Sequence, residues 1–387
     1  MEMMKNIDLL SKHNEGSKKL PHFKQRNIIE YKSNANIFDF YELKRLISFF
    51  ASVEKKFGNP RFLKYNIHYM NQIQFSDKLT YILLECFLYN EIIIKNKKIA
   101  FKIDKFKNTI FTEGVLSSCL RFTDLKDNFQ KSFLSDISRY HFRKIVPYDD
   151  NDENLDSVSY ILSDLFQFLH VCGISEKHAQ NAAEISVELI DNALEHSKSD
   201  CLIDIDVSQN PYFIPGSESE GEFFAVNIAV VDFSNNVIGE QIGKNLNLES
   251  PQNTQYEKLN ALYDLHKTYF CETYTKDHFY MISAFQNKIS SRNNSGCTGG
   301  KGLTKLIKEL QESSVSNICY VASDDKCLFF IKEYIKQDEN KWVGFNEQNN
   351  CELPPSEHAF KKSPLNIIGT AYNLTFVFKK ENGNGWN

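Results

Sequence analysis

Between Asp39 and Lys56 apolar side chains recur at helical spacing, at Phe40, Leu43, Leu46, Ile47, Phe50 and Val53. Phe62 to Met70 then alternates as a strand does, Ser76 to Ile93 returns to helical spacing with Ser76 as its candidate cap, and Lys97 to Ile103 (KKIAFKI) alternates again. The acidic, turn-prone run PYDDNDENLD from Pro147 to Asp156 interrupts this pattern and suits a linker. Beyond it the spacing predicts helices over Val158–His170 and Glu176–Ser197, joined at Gly173 with Ser175 as N-cap. Strands follow at Leu202–Val207 and Phe223–Asp232, then a long insertion, a glycine cluster, a helix from Leu303 and a last strand at Tyr372–Phe378. The predicted class is α/β (α+β). A polar, Lys-rich arm (1–20) precedes a smaller α/β regulatory or interaction domain (21–148), and a larger domain (155–387) carries a mixed sheet covered by helices.

Composition narrows the possibilities. With 387 residues the chain exceeds the size at which one hydrophobic core usually stops growing, about 250 residues. Its 42% hydrophobic and 25% charged residues are those of an ordinary globular protein. A net charge of -5 lacks the excess of positive charge that favours phosphate-backbone binding, so nucleic acid is not indicated as a partner. The nine cysteines are scattered without a CxxC pair, which argues against a zinc ribbon or a disulfide framework and for a reducing, cytoplasmic compartment. No apolar run approaches the roughly 20 residues a membrane span needs, and no signal-peptide core is visible at the start.

Chemistry concentrates in three places. In EISVELIDNALEHS, Glu188 and Asn192 lie four residues apart and share one helix face, and His196 continues the line. An amide oxygen is a hard ligand for magnesium and a neighbouring carboxylate can deprotonate water. AVNIAVVDFSNNVIG runs from an apolar strand into Asp232, placing a carboxylate at the strand's end beside a turn-prone loop. SGCTGGKGLTKLIKEL sets Gly296, Gly299, Gly300, Lys301 and Gly302 before an amphipathic helix, where close backbone amides and the helix N-terminus favour phosphate.

In order and spacing these elements resemble the N box and two glycine boxes of the GHKL, or Bergerat-fold, ATPase family, over about Leu155 to Lys380. The resemblance implies ATP and Mg2+ as cofactors, Glu188 as the catalytic residue that activates water, Asn192 as the metal ligand, and Asp232 as the adenine contact. It further implies Gly299, Gly300, Lys301 and Gly302 as the phosphate loop, Gly369 and Thr370 in IIGTAYNLTFVF as completing the adenine pocket, and about 240–296 as a lid. Arg292 of the SSR at Ser290–Arg292 is a further phosphate candidate within this resemblance. Two departures are visible, because the first glycine box usually reads Asp-x-Gly-x-Gly whereas Asp232 is followed here by Phe233, Ser234, Asn235 and Asn236. Separately, Asn59 to Asp104 is similar to STAS-type domains, with Ser76 preceding Asp77 rather than following an aspartate.

Three activities fit such a site: an ATPase that switches conformation or partner binding, an anti-sigma-type serine/threonine kinase, and a non-hydrolysing nucleotide-gated module of a bacterial regulatory or defence system. No histidine-kinase phospho-acceptor box precedes the domain. The expected partners are ATP and either a protein partner or a second copy of the chain, with no membrane involved.

Overall fold

The computed structural model describes residues 10, 23–25, 27–58, 63–106, 126–148, 154–208, 223–246, 254–287, 289, 302–314 and 318–379. The first sheet is built from β1 (Phe23–Gln25), β2 (Ile28–Ser33), β3 (Ile37–Phe38), β4 (Lys64–Phe75) and β5 (Lys98–Phe106), with α1 (Phe40–Phe57) and α2 (Lys78–Tyr89) as crossovers. β2, β4 and β5 pair in parallel and in that spatial order, β3 extends beside β4 in parallel, and β1 pairs with β2 antiparallel. A strand order that advances in one direction puts both right-handed crossovers on the same face. The burial of β4 agrees: Tyr65, Ile67, Tyr69, Ile73 and Phe75 are buried while the alternate positions are half-buried or exposed.

Both helices are capped by aspartates. Asp39 accepts from the Glu42 amide (2.9 Å) and Asp77 from the Thr80 amide (2.7 Å). The cap expected at Ser76 therefore belongs to Asp77, whose carboxylate offers a better acceptor than a hydroxyl, and Ser76 Oγ donates to that carboxylate instead (2.9 Å). α2 is buried at all twelve positions and continues into a π-helical turn, Asn90–Ile94. A helix apolar on every side must be covered on every side, and here the covering comes from a second sheet.

The second sheet follows α3 (Lys126–Leu134) and comprises β6 (Ser135–Ile137), β7 (His141–Val146), β8 (Cys201–Ser208), β9 (Phe223–Asp232), β10 (Tyr320–Phe329) and β11 (Phe360–Lys379). Its order is β10-β11-β9-β8-β7-β6 and every pairing is antiparallel. Parallel and antiparallel pairings thus both occur but are largely segregated between the sheets. β6 and β7 precede the acidic run at 147–156, so this sheet begins upstream of that run rather than after it.

On one face of this sheet lie α4 (Asn154–Val171), α5 (Glu176–Asn192) and α9 (Gly302–Ser313); in the chain α4 and α5 precede, and α9 follows, α6 (Glu240–Leu246), α7 (Thr254–His266) and α8 (Lys276–Ser283). Leu165, Leu169, Ile185, Leu189, Leu306 and Leu310 pack there against Ile203, Ile205, Ile228, Val230 and Phe376. On the other face Leu202, Ala229, Val231, Ala322 and Ile367 share a core with Leu43, Ile47, Leu79 and Leu83 of α1 and α2. The chain is therefore α+β in four layers: sheet, helices, sheet, helices. β8 is buried at all eight positions, because both its faces are covered. The described cysteines form no disulfide, and no helix among the described residues is long and apolar enough to cross a membrane.

Candidate functional site

α5 starts after Gly173, whose φ of 94° turns the chain out of α4; Ser175 holds the N-cap position without a side-chain hydrogen bond. Rather than running to Ser197 as an α-helix, α5 widens at Ala193 into a π-helical turn, Ala193–Ser197, which Lys198 ends in the left-handed conformation (φ 49°). Glu188, Asn192 and Glu195 face the same way at i, i+4 and i+7 and line a cavity of about 500 Å³. The floor is Val230, Asp232, Thr370 and Tyr372; Val237, Ile238, Gly239, Ile242 and Lys244 form one wall, and Leu303 of α9 the rim. The volume lies in the range of small-molecule sites.

Asp232 ends β9 with 6% exposure. Two donors reach each carboxylate oxygen: Ser199 Oγ (2.5 Å) and the Ser234 amide (2.8 Å) donate to Oδ1, while Ser197 Oγ (2.7 Å) and Ser234 Oγ (3.0 Å) donate to Oδ2. Burial pushes this carboxyl above its ordinary range, and the serine donors pull it back. Ser234 thus closes a ring of donors around Asp232. Gly369 (φ +95°) lets β11 pass over this turn, since a Cβ there would stand 2.4 Å from the Asp232 carbonyl oxygen. The wall is tightened similarly: a Cβ on Gly239 (φ +83°) would lie 2.3 Å from the Tyr280 carbonyl, and one on Gly243 2.5 Å from the Tyr280 ring.

Glu188, Asn192, Asp232 and Thr370 are therefore brought to one cavity. Gly302 is the first residue of α9, and Gly299, Gly300, Lys301 and Arg292 lie outside the described residues. α9 runs beside α5: Asn181 Nδ2 donates to Glu309 (2.9 Å) and Lys305 pairs with Glu184. Continued one turn further, this register brings the start of α9 toward Glu188, consistent with Leu303 on the rim. Of the region expected as a lid, about 240–296, the described residues carry three helices whose Ile242, Leu246, Tyr256, Leu259, Phe279 and Ile282 belong to the main core.

A second polar cluster escaped the sequence reading. On the opposite face of the sheet Lys78 pairs with Asp204 and Asp206, Arg143 bridges Asp204 and Glu85, and His141 Nε2 lies 3.1 Å from Asp204. All six side chains are buried. Burial opposes its ionisation, but Arg143 and Lys78 hold Asp204 well below the usual carboxylate range; burial pushes Asp206 up to about 6. His141, Asp204 and Asp206 have metal-ligand chemistry, but the Lys78 ammonium bonds both carboxylates and supplies the cation. The signal was present as Lys78 and Glu85 seven apart on one face of an apolar helix, and as the alternation of Asp204 and Asp206 in LIDIDV.

The cavity side of the sheet thus collects hard oxygen ligands and a saturated aspartate, and the far side a charge network tying α2 to β7 and β8. Compared with protein-family models, curated proteins and solved structures, the chain matches none.

Proposed function

We propose that the chain is an ATP-binding protein of the GHKL type that uses magnesium and hydrolyses the nucleotide to switch its conformation or its contact with a partner. The single observation that carries this reading is the convergence on one cavity of Glu188 and Asn192 from one helix face, Asp232 from a strand end, Thr370 from β11 and the first turn of α9. An amide oxygen beside a carboxylate fits a hard divalent cation; magnesium, when bound, neutralises phosphate charge that Glu188, Glu195 and Glu240 would otherwise repel. Asn192 would hold it. The first-turn amides of α9 attract the phosphates, and Glu188 takes the proton of the attacking water.

Transfer of phosphate to a serine uses the same base. Ser76, the built-in candidate acceptor, lies at the start of α2, where the Leu79 amide donates to Asn373 Oδ1 and Leu79 packs on the far face of the second sheet. The sheet stands between it and the cavity, so hydrolysis is the preferred outcome for a single chain.

Nucleotide affinity and turnover of the full chain, with and without magnesium, test the reading. Glu188→Ala is expected to keep ATP binding and lose turnover at least about 100-fold, the usual worth of a general base. Asn192→Ala is expected to lose the magnesium dependence of binding. Equal turnover in wild type and both variants would remove Glu188 and Asn192 from the mechanism.

A further inference from the structure

We infer that the face of the first sheet turned away from α1 and α2 binds single-stranded nucleic acid: lysines in its outer rows hold the phosphates, and His68 and Asn66 on its central strand meet the bases. This surface is separate from the nucleotide cavity and does not rest on the reading of that cavity.

Strand register fixes the layout. Lys64 of β4 stands directly beside Lys98 of β5; two residues on, Asn66 lies between Glu30 and Ala100, and two further on His68 lies between Lys32 and Lys102. The alternate positions, such as Ile67 and Phe101, are buried toward the helices, so these side chains point the other way. All four lysines are exposed, and Glu30 is the single acid in these three rows. Strands lie about 4.8 Å apart and each residue adds about 3.3 Å. At the backbone Lys64 and Lys98 are therefore about 5 Å apart, Lys32 and Lys102 about 10 Å, and the two lysine rows about 13 Å. A like-charged pair set directly opposite is unfavourable in a sheet, and a phosphate laid across Lys64 and Lys98 turns that repulsion into attraction.

The net charge of -5 averages over the whole chain and conceals this basic face. Charge complementarity calls for an anion, and the middle of the face selects among anions. Ala100 leaves a shallow floor on which a base can lie flat, with the half-buried His68 imidazole as a stacking surface. Asn66 supplies amide chemistry for a base edge; its Nδ2 donates to Glu30 Oε1 (3.3 Å), and Glu30 pairs with Lys32 (3.4 Å). These polar groups have no use against a bilayer, where large apolar side chains must insert. Among the described residues Met70, 41% exposed, is the one large apolar side chain that β2, β4 and β5 expose. A flat platform that stacks and hydrogen-bonds open bases between rows of cations suits a single strand, whose bases are free to turn toward it.

Fluorescence anisotropy of labelled oligo(U) and oligo(dT) with the full chain, across a salt series, tests the inference. With about three or four phosphates neutralised, log K is expected to fall against log salt with a slope of about -2 to -3. Lys64→Ala/Lys98→Ala should bring that slope about 1.4 nearer to zero. His68→Ala should keep the slope and lose about fivefold or more in affinity, the worth of one stacked base. Both variants change side chains outside the cores, so their thermal melts should match wild type. Absence of oligonucleotide binding, or binding that the lysine pair does not alter, overturns the inference. A duplex bound as tightly as the single strand overturns the role of open bases. Lysine-dependent binding that is tighter to phosphatidylserine vesicles or to polyglutamate than to oligo(U) assigns the face to a membrane or an acidic protein, and overturns it as well.

Discussion

Lys78→Met removes the ammonium that joins Asp204 and Asp206 between α2 and β8. Asp204 keeps Arg143 and His141, but Lys78 is the hydrogen-bond partner of Asp206, whose Oδ1 has none among the described residues. Breaking a buried pair by removing one member costs about 3–5 kcal/mol, and here part of that cost depends on pH. Asp206 has a folded pKa of about 6 beside Lys78, raised above its unfolded value near ~3.9. Its contribution to stability therefore falls as pH rises through that interval and levels off above pH 6. Without Lys78 the carboxyl stays protonated to higher pH, and the loss continues at about 1.4 kcal/mol per unit. Urea unfolding at pH 5.5 and 7.5 should show the gap between wild type and Lys78→Met wider by about 2 kcal/mol at the higher pH. Lys78→Met/Asp206→Leu, which lacks the Asp206 carboxyl, should show a gap that widens less with pH than that of Lys78→Met. An equal gap for Lys78→Met at both values would refute the assignment of Asp206 to Lys78.

His141 titrates in the opposite window from Asp204. Burial lowers its pKa, but facing Asp204 and Asp206, with Lys78 opposing, it is raised overall; the stability it brings is complete below its unfolded value and is lost as pH rises through the folded one. Melting temperatures from pH 6 to 8 should fall less in His141→Gln than in wild type. Gly369→Ala forces a side chain onto the Asp232 carbonyl at φ +95°; it should cost more than about 1 kcal/mol in thermal melts and abolish nucleotide binding, and a neutral result would show that the β11 crossing is not tight.

Periodicity reaches as far as the local chain decides. The apolar stripe of α1, the strand ending at Asp232 and the shared face of Glu188 and Asn192 are all properties of spacing, and the folded chain has them. The cap of α2 is not fixed by spacing, because the adjacent Ser76 and Asp77 can both fill that place and only geometry selects Asp77. The charge network was illegible for a deeper reason. Asp204 and Asp206 alternate with apolar residues as if facing water, yet they face Lys78, 128 residues before Asp206. The donor ring at Asp232 depends likewise on a π-helical turn that spacing does not announce.

Among the described residues, the parallel strands β2, β4 and β5 carry α1 and α2 on one side of their sheet, and the antiparallel sheet shares those helices. A wall common to two rooms cannot be assigned to either. A fragment cut at the acidic run would take β6 and β7 from the second sheet, bare the edge of β8 and strip the cover from Asp204 and Asp206. Open edges of that kind pair with other chains. The two halves therefore share one core, and neither sheet keeps its buried face without the other part of the chain.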